Sequence, residues 1–462
     1  MDSGPLTLTT AVTRLRQGTL TSRTLTEDLL REAERHAGLG AFITLDHERA
    51  LSAARAADRT PGTGLLHGVP IVVKDNIHVA GLPNTAGTPA LAGFVPDADA
   101  PVVGRLRSAG AFVIGKTGMH ELSFGATSAG SASGPVRNAH EPGCFAGGSS
   151  GGTAVAVAYG ALAGLGTDTG GSVRIPAALN GVCGLRPTPG RYPAGAVTPL
   201  SSTRDVVGPI ARTVADIGLL DAVLAGTDTG LAVMVPHRLR LGVPGGYFTR
   251  WLGAETAEAF QGALDRLRAH GVTLVDVQLP DFEAVEREIG FPITLYEARR
   301  ELTAYLARYV PSTSLADLAD RIIDPAVRRA FIDMVVQGAP RAIAEEHYQA
   351  ALTNGRAWLR ASYHDAFHTH GIDALVFPTT PRCAAALGDA AGLVDVGGEP
   401  LPAFEAFIRN TGPGSLAGLP GLTVPIPRAS GGLPVGLALD GWVLTDRSLL
   451  AVGAQVQKLL AS

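Results

Sequence analysis

GGSSGG at residues 147–152 and GTDTGGSVR at residues 166–174 are two glycine-rich stretches that each present a serine. The segment between them, TAVAVAYGALA at 153–163, is small and apolar throughout, which predicts a helix enclosed on nearly every side. This helix should begin at the first serine stretch and end just before the second. Strand-like and helix-like segments alternate up to Leu224. The pattern therefore predicts an α/β/α sandwich with a central, mixed, mostly buried sheet covered by helices.

The flanking sequence supplies further elements of this sandwich. Apolar runs rich in β-branched residues predict buried strands at 69–73 and 111–114, with a helix at 101–109 between them. Leucines at three- and four-residue steps predict helices from 6 to 58. Longer amphipathic patterns predict helices at 255–270 and 341–370, and strand character returns at 374–377 and 422–426.

One domain is predicted for the whole chain, residues 1–462. No linker, repeat or low-complexity tract separates its motifs, and motifs from both ends must meet if they serve one site. Within this domain we expect a helical lead-in at 1–60, a catalytic core at 61–225, a helical cover at 244–370 and a return to the core sheet at 371–462.

Composition excludes several classes of partner. Of the residues, 46% are hydrophobic and 17% are charged, and the formal net charge is −4, so there is no basic footprint for nucleic acid. The sequence shows neither a signal peptide nor an apolar stretch of membrane-spanning length. We expect a cytoplasmic protein without a nucleic-acid or membrane partner, and we leave a homodimer open as its assembly.

Three side chains point to acyl transfer without histidine. Lys74 ends the apolar run that begins at Val69, and Ser149 and Ser172 lie in the two glycine-rich stretches. Acyl transfer needs a nucleophilic hydroxyl, a base that can be neutral, and free backbone N–H groups for an oxyanion. A lysine and two serines presented by glycine-rich backbone can supply all three, which predicts a serine hydrolase of amides.

The motifs resemble those of the amidase signature family over most of the chain. They include IVVKDNIHVAGLPNTAGT from Ile71, the two serine stretches, CGLRPTPGRYPAGAVTPLSSTRDVVGPIARTVAD from Cys183 and RNTGPGSLAGLPGLTVPI from Arg409. MHELSFG, GRYP and STRD are most similar to the mandelamide and indoleacetamide hydrolase branch of that family. The resemblance implies the amidase signature fold.

The resemblance also assigns roles to individual residues. Ser172 would be the nucleophile, Ser149 would relay its proton, and Lys74 would be the general base. The peptide bond between Gly148 and Ser149 would be cis. The oxyanion would be held by the backbone N–H groups of Thr169, Gly170, Gly171 and Ser172. Supporting contacts would come from Ser150, Asp168 and Arg174.

The expected reaction is hydrolysis of a small arylacetamide or related amide to a carboxylic acid and ammonia or an amine, without a cofactor or a metal. Carbamates, anilides and esters stay open as substrates of the same three residues. A further alternative is an amidotransferase A-type subunit that uses glutamine.

Three tempting motifs receive other interpretations. GAFVIGKT at 110–117 matches a phosphate-binding loop, but its middle residues indicate a buried strand whose amides are already paired. GGSSG at 147–151 matches a nucleophile elbow, but EPGC precedes it where a strand is required. His364, His368 and His370 lack the accompanying ligands of a metal site, which favours a solvated helix end.

Overall fold

An eleven-stranded mixed sheet forms the centre of the computed structural model, which describes residues 5–60, 62, 64–427 and 432–462. The strands in chain order are β1 Phe42–Leu45, β2 Pro70–Lys74, β3 Phe112–Thr117, β4 Ala163–Asp168, β5 Cys183–Arg186, β6 Val206–Ala211, β7 Arg240–Pro244, β8 Thr273–Val277, β9 Ala374–Pro378, β10 Leu393–Val396, β11 Glu399–Pro402, β12 Gly421–Ile426 and β13 Val435–Asp440. Their order across the sheet is β1-β3-β2-β4-β6-β5-β12-β13-β9-β7-β8, and β10 and β11 form a separate hairpin.

Helices cover both faces of the sheet. They are α1 Leu8–Arg16, α2 Ser22–Arg35, α3 His47–Arg59, α4 Pro101–Ser108, α5 Gly151–Tyr159, α6 Arg174–Leu179, α7 Val214–Ala225, α8 Ala254–Ala269, α9 Phe291–Tyr309, α10 Leu315–Asp320, α11 Pro325–Ala330, α12 Glu345–Ala350, α13 Arg356–His370, α14 Ala403–Ile408, α15 Gly412–Ala417 and α16 Asp446–Ala461. π-helical turns precede α9, follow α11 and join α12 to α13. Within the described ranges, no helix combines the length and the apolar character that crossing a membrane requires.

Side-chain alternation along β2 shows why the sheet is buried on both faces. Ile71 and Val73 pack in the core that contains α4, α7 and α16, whereas Val72 packs on the opposite face with α5. Successive residues of a strand point to opposite faces, so a strand covered on both sides must be apolar throughout. Lys74 has the parity of Val72 and therefore points toward α5.

Two glycines of β4 allow α5 to lie directly on the sheet. A Cβ at Gly164 would lie 2.6 Å from Cγ2 of Thr153, and a Cβ at Gly166 would lie 2.7 Å from Oγ of Ser150. Because real Cβ atoms do not approach this closely, larger residues in β4 would push α5 away. The parallel strands β2 and β4 thereby bring their carboxyl ends together beneath the start of α5.

The structure confirms the sandwich and corrects several element predictions. The segment 6–58 is not wholly helical, because β1 lies within it and pairs with β3 at the sheet edge. The helix predicted at 153–163 ends at Tyr159, since β4 begins at Ala163 and fills the space before the second serine stretch.

The cover also differs from its prediction. Its first part joins the sheet, because β8 pairs with β7 and α8 packs on the core of the sandwich. The helix predicted from 341 starts at Glu345 and contains a π-helical turn.

Candidate active site

Lys74 lies at the carboxyl end of β2 and is completely buried. Its Nζ donates to Oγ of Ser149 and to Oγ1 of Thr167, each at 2.7 Å. Burial lowers the pKa of Lys74 to about 7, although the negative charges of Asp168 and Asp205 oppose that shift. The amine can thus be neutral near neutral pH, and a hydroxyl can either accept a proton from it or donate one to it.

Asn76 and Thr167 complete the surroundings of this amine, and sequence reasoning gave neither a role. Nδ2 of Asn76 donates to Oγ1 of Thr167 at 3.1 Å and to Oγ of Ser123 at 3.4 Å. Both residues belong to quoted motifs, Asn76 two positions after Lys74 and Thr167 just before Asp168. The available signal was strand parity, because Asn76 has the parity of Lys74 just beyond the end of β2. Thr167 lies near the end of the neighbouring strand β4.

Ser149 precedes α5 and is fully buried beside Lys74. The peptide bond between Gly148 and Ser149 is cis, which confirms that prediction. The carbonyl oxygen of Ser149 accepts from the N–H of His120 at 3.1 Å. This hydrogen bond anchors the carbonyl side of the serine, whose hydroxyl lies 2.7 Å from the Lys74 amine.

Ser150 connects the two serine stretches. Its Oγ donates to the carbonyl oxygen of Thr167 at 3.1 Å and accepts from the Thr167 N–H at 3.3 Å. Its own N–H donates to the carbonyl oxygen of Ser172 at 3.1 Å. These bonds hold the second stretch against the first, which is the geometry of a supporting residue.

The Asp168 carboxylate shapes the turn that carries Ser172. It accepts from the N–H groups of Gly171 at 2.8 Å and Val173 at 3.2 Å, and from Nε of Arg174 at 3.1 Å. Burial alone would raise the pKa of Asp168, but the charges of Arg174 and Arg186 reverse that effect and hold the pKa below its usual range. The carboxylate stays ionised and keeps its hold on the turn.

These bonds correct one part of the oxyanion prediction. The N–H of Gly171 points at Asp168 and is not free to hold an oxyanion. In the part of the chain that the structure describes, the N–H groups of Thr169, Gly170 and Ser172 have no protein acceptor. Three of the four predicted donors are therefore available.

The C-terminal motif that begins at Arg409 contacts the same turn. Oγ1 of Thr411 donates to the carbonyl oxygen of Gly170 at 2.7 Å, and Nη2 of Arg174 donates to Oγ of Ser415 at 2.5 Å. Segments more than two hundred residues apart thus meet at the nucleophile turn, as a shared site requires.

Ser172 is half-buried and lines a cavity of about 550 Å³ between the sheet and the cover. Gly148, Thr169 and Gly170 lie in the same wall. The apolar lining includes Phe124, Ile175, Leu200, Phe291, Leu295, Met334, Ile343, Phe404 and Ile408. A cavity of this size and character accommodates a small molecule with an apolar acyl group.

The structure shows the surroundings of the three declined motifs. Lys116 lies in the fully buried strand β3, where its Nζ donates to the carbonyl oxygen of Pro83 at 3.0 Å. Between β3 and Gly147, the described residues form isolated bridges at Arg137, Cys144 and Phe145 and no strand. His364 and His368 stack on an exposed helix end at 3.8 Å, and the described residues include no cluster of three or more metal-binding side chains.

Comparison with known proteins identifies the family. Residues 24–450 match the family model described as Amidase, and the chain belongs to the amidase family. It is an amide-cleaving hydrolase. It is 38% identical to an indoleacetamide hydrolase of Agrobacterium vitis, over 99% of this chain and 97% of that relative. It is 40% identical to the mandelamide hydrolase of Pseudomonas putida, over 98% and 91% of the two chains. A solved amidase structure matches with a TM-score of 0.87 at 37% identity, over 98% and 99%.

Proposed function

We propose that this chain hydrolyses small arylacetamides to an arylacetic acid and ammonia through an acyl-enzyme on Ser172. The observation that carries the proposal is the pair of 2.7 Å bonds from the buried Lys74 amine to the hydroxyls of Ser149 and Thr167. Among the described residues, the hydrogen-bond partners of this amine are hydroxyls, and burial lowers its pKa to about 7. It therefore has the state and the contacts that a general base needs.

Acylation moves one proton along this arrangement. Oγ of Ser172 attacks the amide carbonyl carbon and transfers its proton to Ser149, whose own hydroxyl proton passes to Nζ of Lys74. The new oxyanion is held by the N–H groups of Thr169, Gly170 and Ser172. The C–N bond then breaks, and the proton returns through Ser149 to the leaving nitrogen.

Deacylation repeats these steps with water as the nucleophile. The leaving ammonia vacates the site, a water molecule attacks the ester carbonyl carbon, and its proton passes to Lys74 through Ser149. Collapse of the second oxyanion breaks the ester C–O bond and returns the proton to Oγ of Ser172. The acid is released and the three residues regain their starting states.

The substrate class rests on the cavity and on the relatives. Phe124, Phe291 and Phe404 present aromatic rings to the space beside Ser172, and such surfaces favour a planar apolar acyl group. The matched relatives are named for arylacetamide-type substrates. Carbamates, anilides and esters present the same carbonyl chemistry and stay alternatives, as does glutamine in an amidotransferase-type subunit.

The test is ammonia release by the purified chain alone. Indole-3-acetamide, mandelamide and phenylacetamide should each be hydrolysed faster than glutamine, with Ser172→Ala protein as the blank. A preference for glutamine, or activity that appears only with added partner subunits, would favour the amidotransferase alternative. Faster hydrolysis of a matched carbamate, anilide or ester would reassign the substrate class while leaving the chemistry in place.

Location and assembly complete the proposal. We propose that the enzyme is cytoplasmic and needs no nucleic acid, and a homodimer stays open as its assembly. Light scattering on the purified chain and fractionation of cells that express it test the two statements separately.

A further inference from the structure

A buried ion pair lies in the wall of the cavity that contains Ser172. Nη2 of Arg204 donates to Oε1 of Glu286 at 3.0 Å, and Nη1 donates to Oε2 at 3.3 Å. Arg204 is almost fully buried and Glu286 is half-buried, and both line the cavity. The geometry is the bidentate fork of a guanidinium on a carboxylate.

Additional bonds hold the Arg204 guanidinium in place. Nη1 also donates to Oγ1 of Thr294 at 2.9 Å and to the carbonyl oxygen of Gly290 at 3.3 Å. The backbone carbonyl oxygen of Arg204 accepts from Nη2 of Arg186 at 2.8 Å. The cation therefore stays in the wall when its carboxylate partner is changed.

This cation lies close to the nucleophile turn. A Cβ built on Gly170 would lie 3.5 Å from Nη2 of Arg204, and the N–H of Gly170 is one of the free donors. An acyl group bound to Ser172 must occupy the space that both groups border. The acyl group therefore interacts electrostatically with the charges of Arg204 and Glu286.

The charge of Glu286 determines the net charge of this part of the cavity wall. With Glu286 ionised, the two charges cancel, and the surrounding surface of Phe291, Leu295 and Met334 is apolar. The remaining ionisable lining residues are Arg287, Arg341 and His347, which are exposed and screened by solvent. An acyl carboxylate would meet Glu286 as a like charge in a poorly solvated space, where such a juxtaposition is costly.

We propose that Glu286 is a specificity-determining residue that neutralises Arg204 and thereby restricts the cavity to amides of uncharged acyl groups. Monoamides of dicarboxylic acids are excluded although a cation lies beside the nucleophile turn. The inference rests on the proposed amide hydrolysis at Ser172 and adds the charge class of its substrate.

The test compares two amides of nearly equal shape, succinamate with a carboxylate and succinamide without one. In Glu286→Gln the Arg204 cation lacks its counter-charge, so the ratio of kcat/KM for succinamate over succinamide should rise at least about tenfold above wild type. Glu288→Gln is the matched control, because Glu288 is exposed in the same helical turn and pairs with Arg287. Its ratio should stay within about twofold of wild type.

A second variant reverses the charge. Arg204→Met leaves Glu286 as an unpaired carboxylate, so the ratio of kcat/KM for the cationic β-alaninamide over propionamide should rise at least about tenfold. Circular dichroism checks that each variant is folded. Unchanged ratios in the folded variants, an equal rise in Glu288→Gln, or failure of both Glu286→Gln and Arg204→Met to fold would overturn the proposal. Failure of the proposed function is a separate result, since wild type would then hydrolyse none of the amides, phenylacetamide included.

Discussion

Two buried lysines lie on neighbouring parallel strands, Lys74 on β2 and Lys116 on β3, and their surroundings differ. Lys116 pairs in register with Val73 and Lys74 with Thr117, so the two side chains leave the sheet on opposite faces. Lys116 meets acceptors that cannot donate, the carbonyl oxygen of Pro83 at 3.0 Å and Oδ1 of Asp75 at 3.6 Å. Lys74 meets two hydroxyls.

Burial acts on both amines, so burial alone does not make a base. It lowers the pKa of Lys116 to about 8 against the opposing charge of Asp75, and it lowers the pKa of Lys74 to about 7. Acceptors without protons stabilise only the ammonium form, whereas hydroxyls serve either protonation state. We conclude that Lys74 is suited to proton transfer and Lys116 to holding the loop at 75–84.

The largest expected effect is a loss of activity at the site that contains Lys74. Ser172→Ala removes the nucleophile, so kcat should fall by at least about 10⁴-fold while the protein stays folded. Initial rates and circular dichroism separate loss of chemistry from loss of structure. Retention of more than a small fraction of activity would assign the nucleophile elsewhere.

The next effect lies on the Lys116 side and should appear in stability. Lys116→Met leaves the buried Asp75 without its cation, which should lower the free energy of unfolding by about 3 kcal/mol or more. The activity of the folded fraction should stay within about threefold of wild type, since no proton passes through Lys116. Urea unfolding followed by rates in native buffer measures both quantities. A stable but inactive Lys116→Met protein would contradict the distinction between the roles of Lys74 and Lys116.

A smaller effect should come from Thr167→Val, which removes one hydroxyl acceptor from Lys74 at nearly constant volume. The ammonium form loses a hydrogen bond, so the pKa of Lys74 should fall further, by about one unit, and the rising limb of kcat/KM should move to lower pH. The plateau rate should fall about tenfold because the amine is held less firmly. If the rising limb of kcat/KM stays at its wild-type pH, Thr167 does not set the protonation of Lys74.

Much of this arrangement could be predicted from the sequence. The apolar run at 69–73 and the glycine-rich stretches are local signals, and the resemblance adds roles to Lys74, Ser149 and Ser172. Supporting roles are also predicted for Ser150, Asp168 and Arg174. The structure joins Ser150 of the first serine stretch to the second stretch, within which Arg174 donates to Asp168.

Other features depend on contacts between distant segments and carry no local signal. In the sequence, Gly171 lies between residues whose N–H groups are free. In the folded turn, however, its own N–H donates to the side chain of Asp168. The strand β1 lies between helical patterns and is formed by pairing with β3. The pair of Arg204 and Glu286 joins residues 82 positions apart, so only packing of the cover on the core reveals it.

The most direct measurement of the base role is the pH dependence of the acylation rate in wild type, Lys74→Ala and Lys74→Arg. In wild type the rate should rise as the pH passes through about 7 and then level off, because the fraction of neutral Lys74 rises through its lowered pKa. Lys74→Ala should lose both the acylation activity and the rise of the rate with pH. Lys74→Arg should fold but stay inactive, since guanidinium does not deprotonate in the accessible range. A folded, active arginine variant would contradict a base at Lys74 and would leave it, like Lys116, a structural cation.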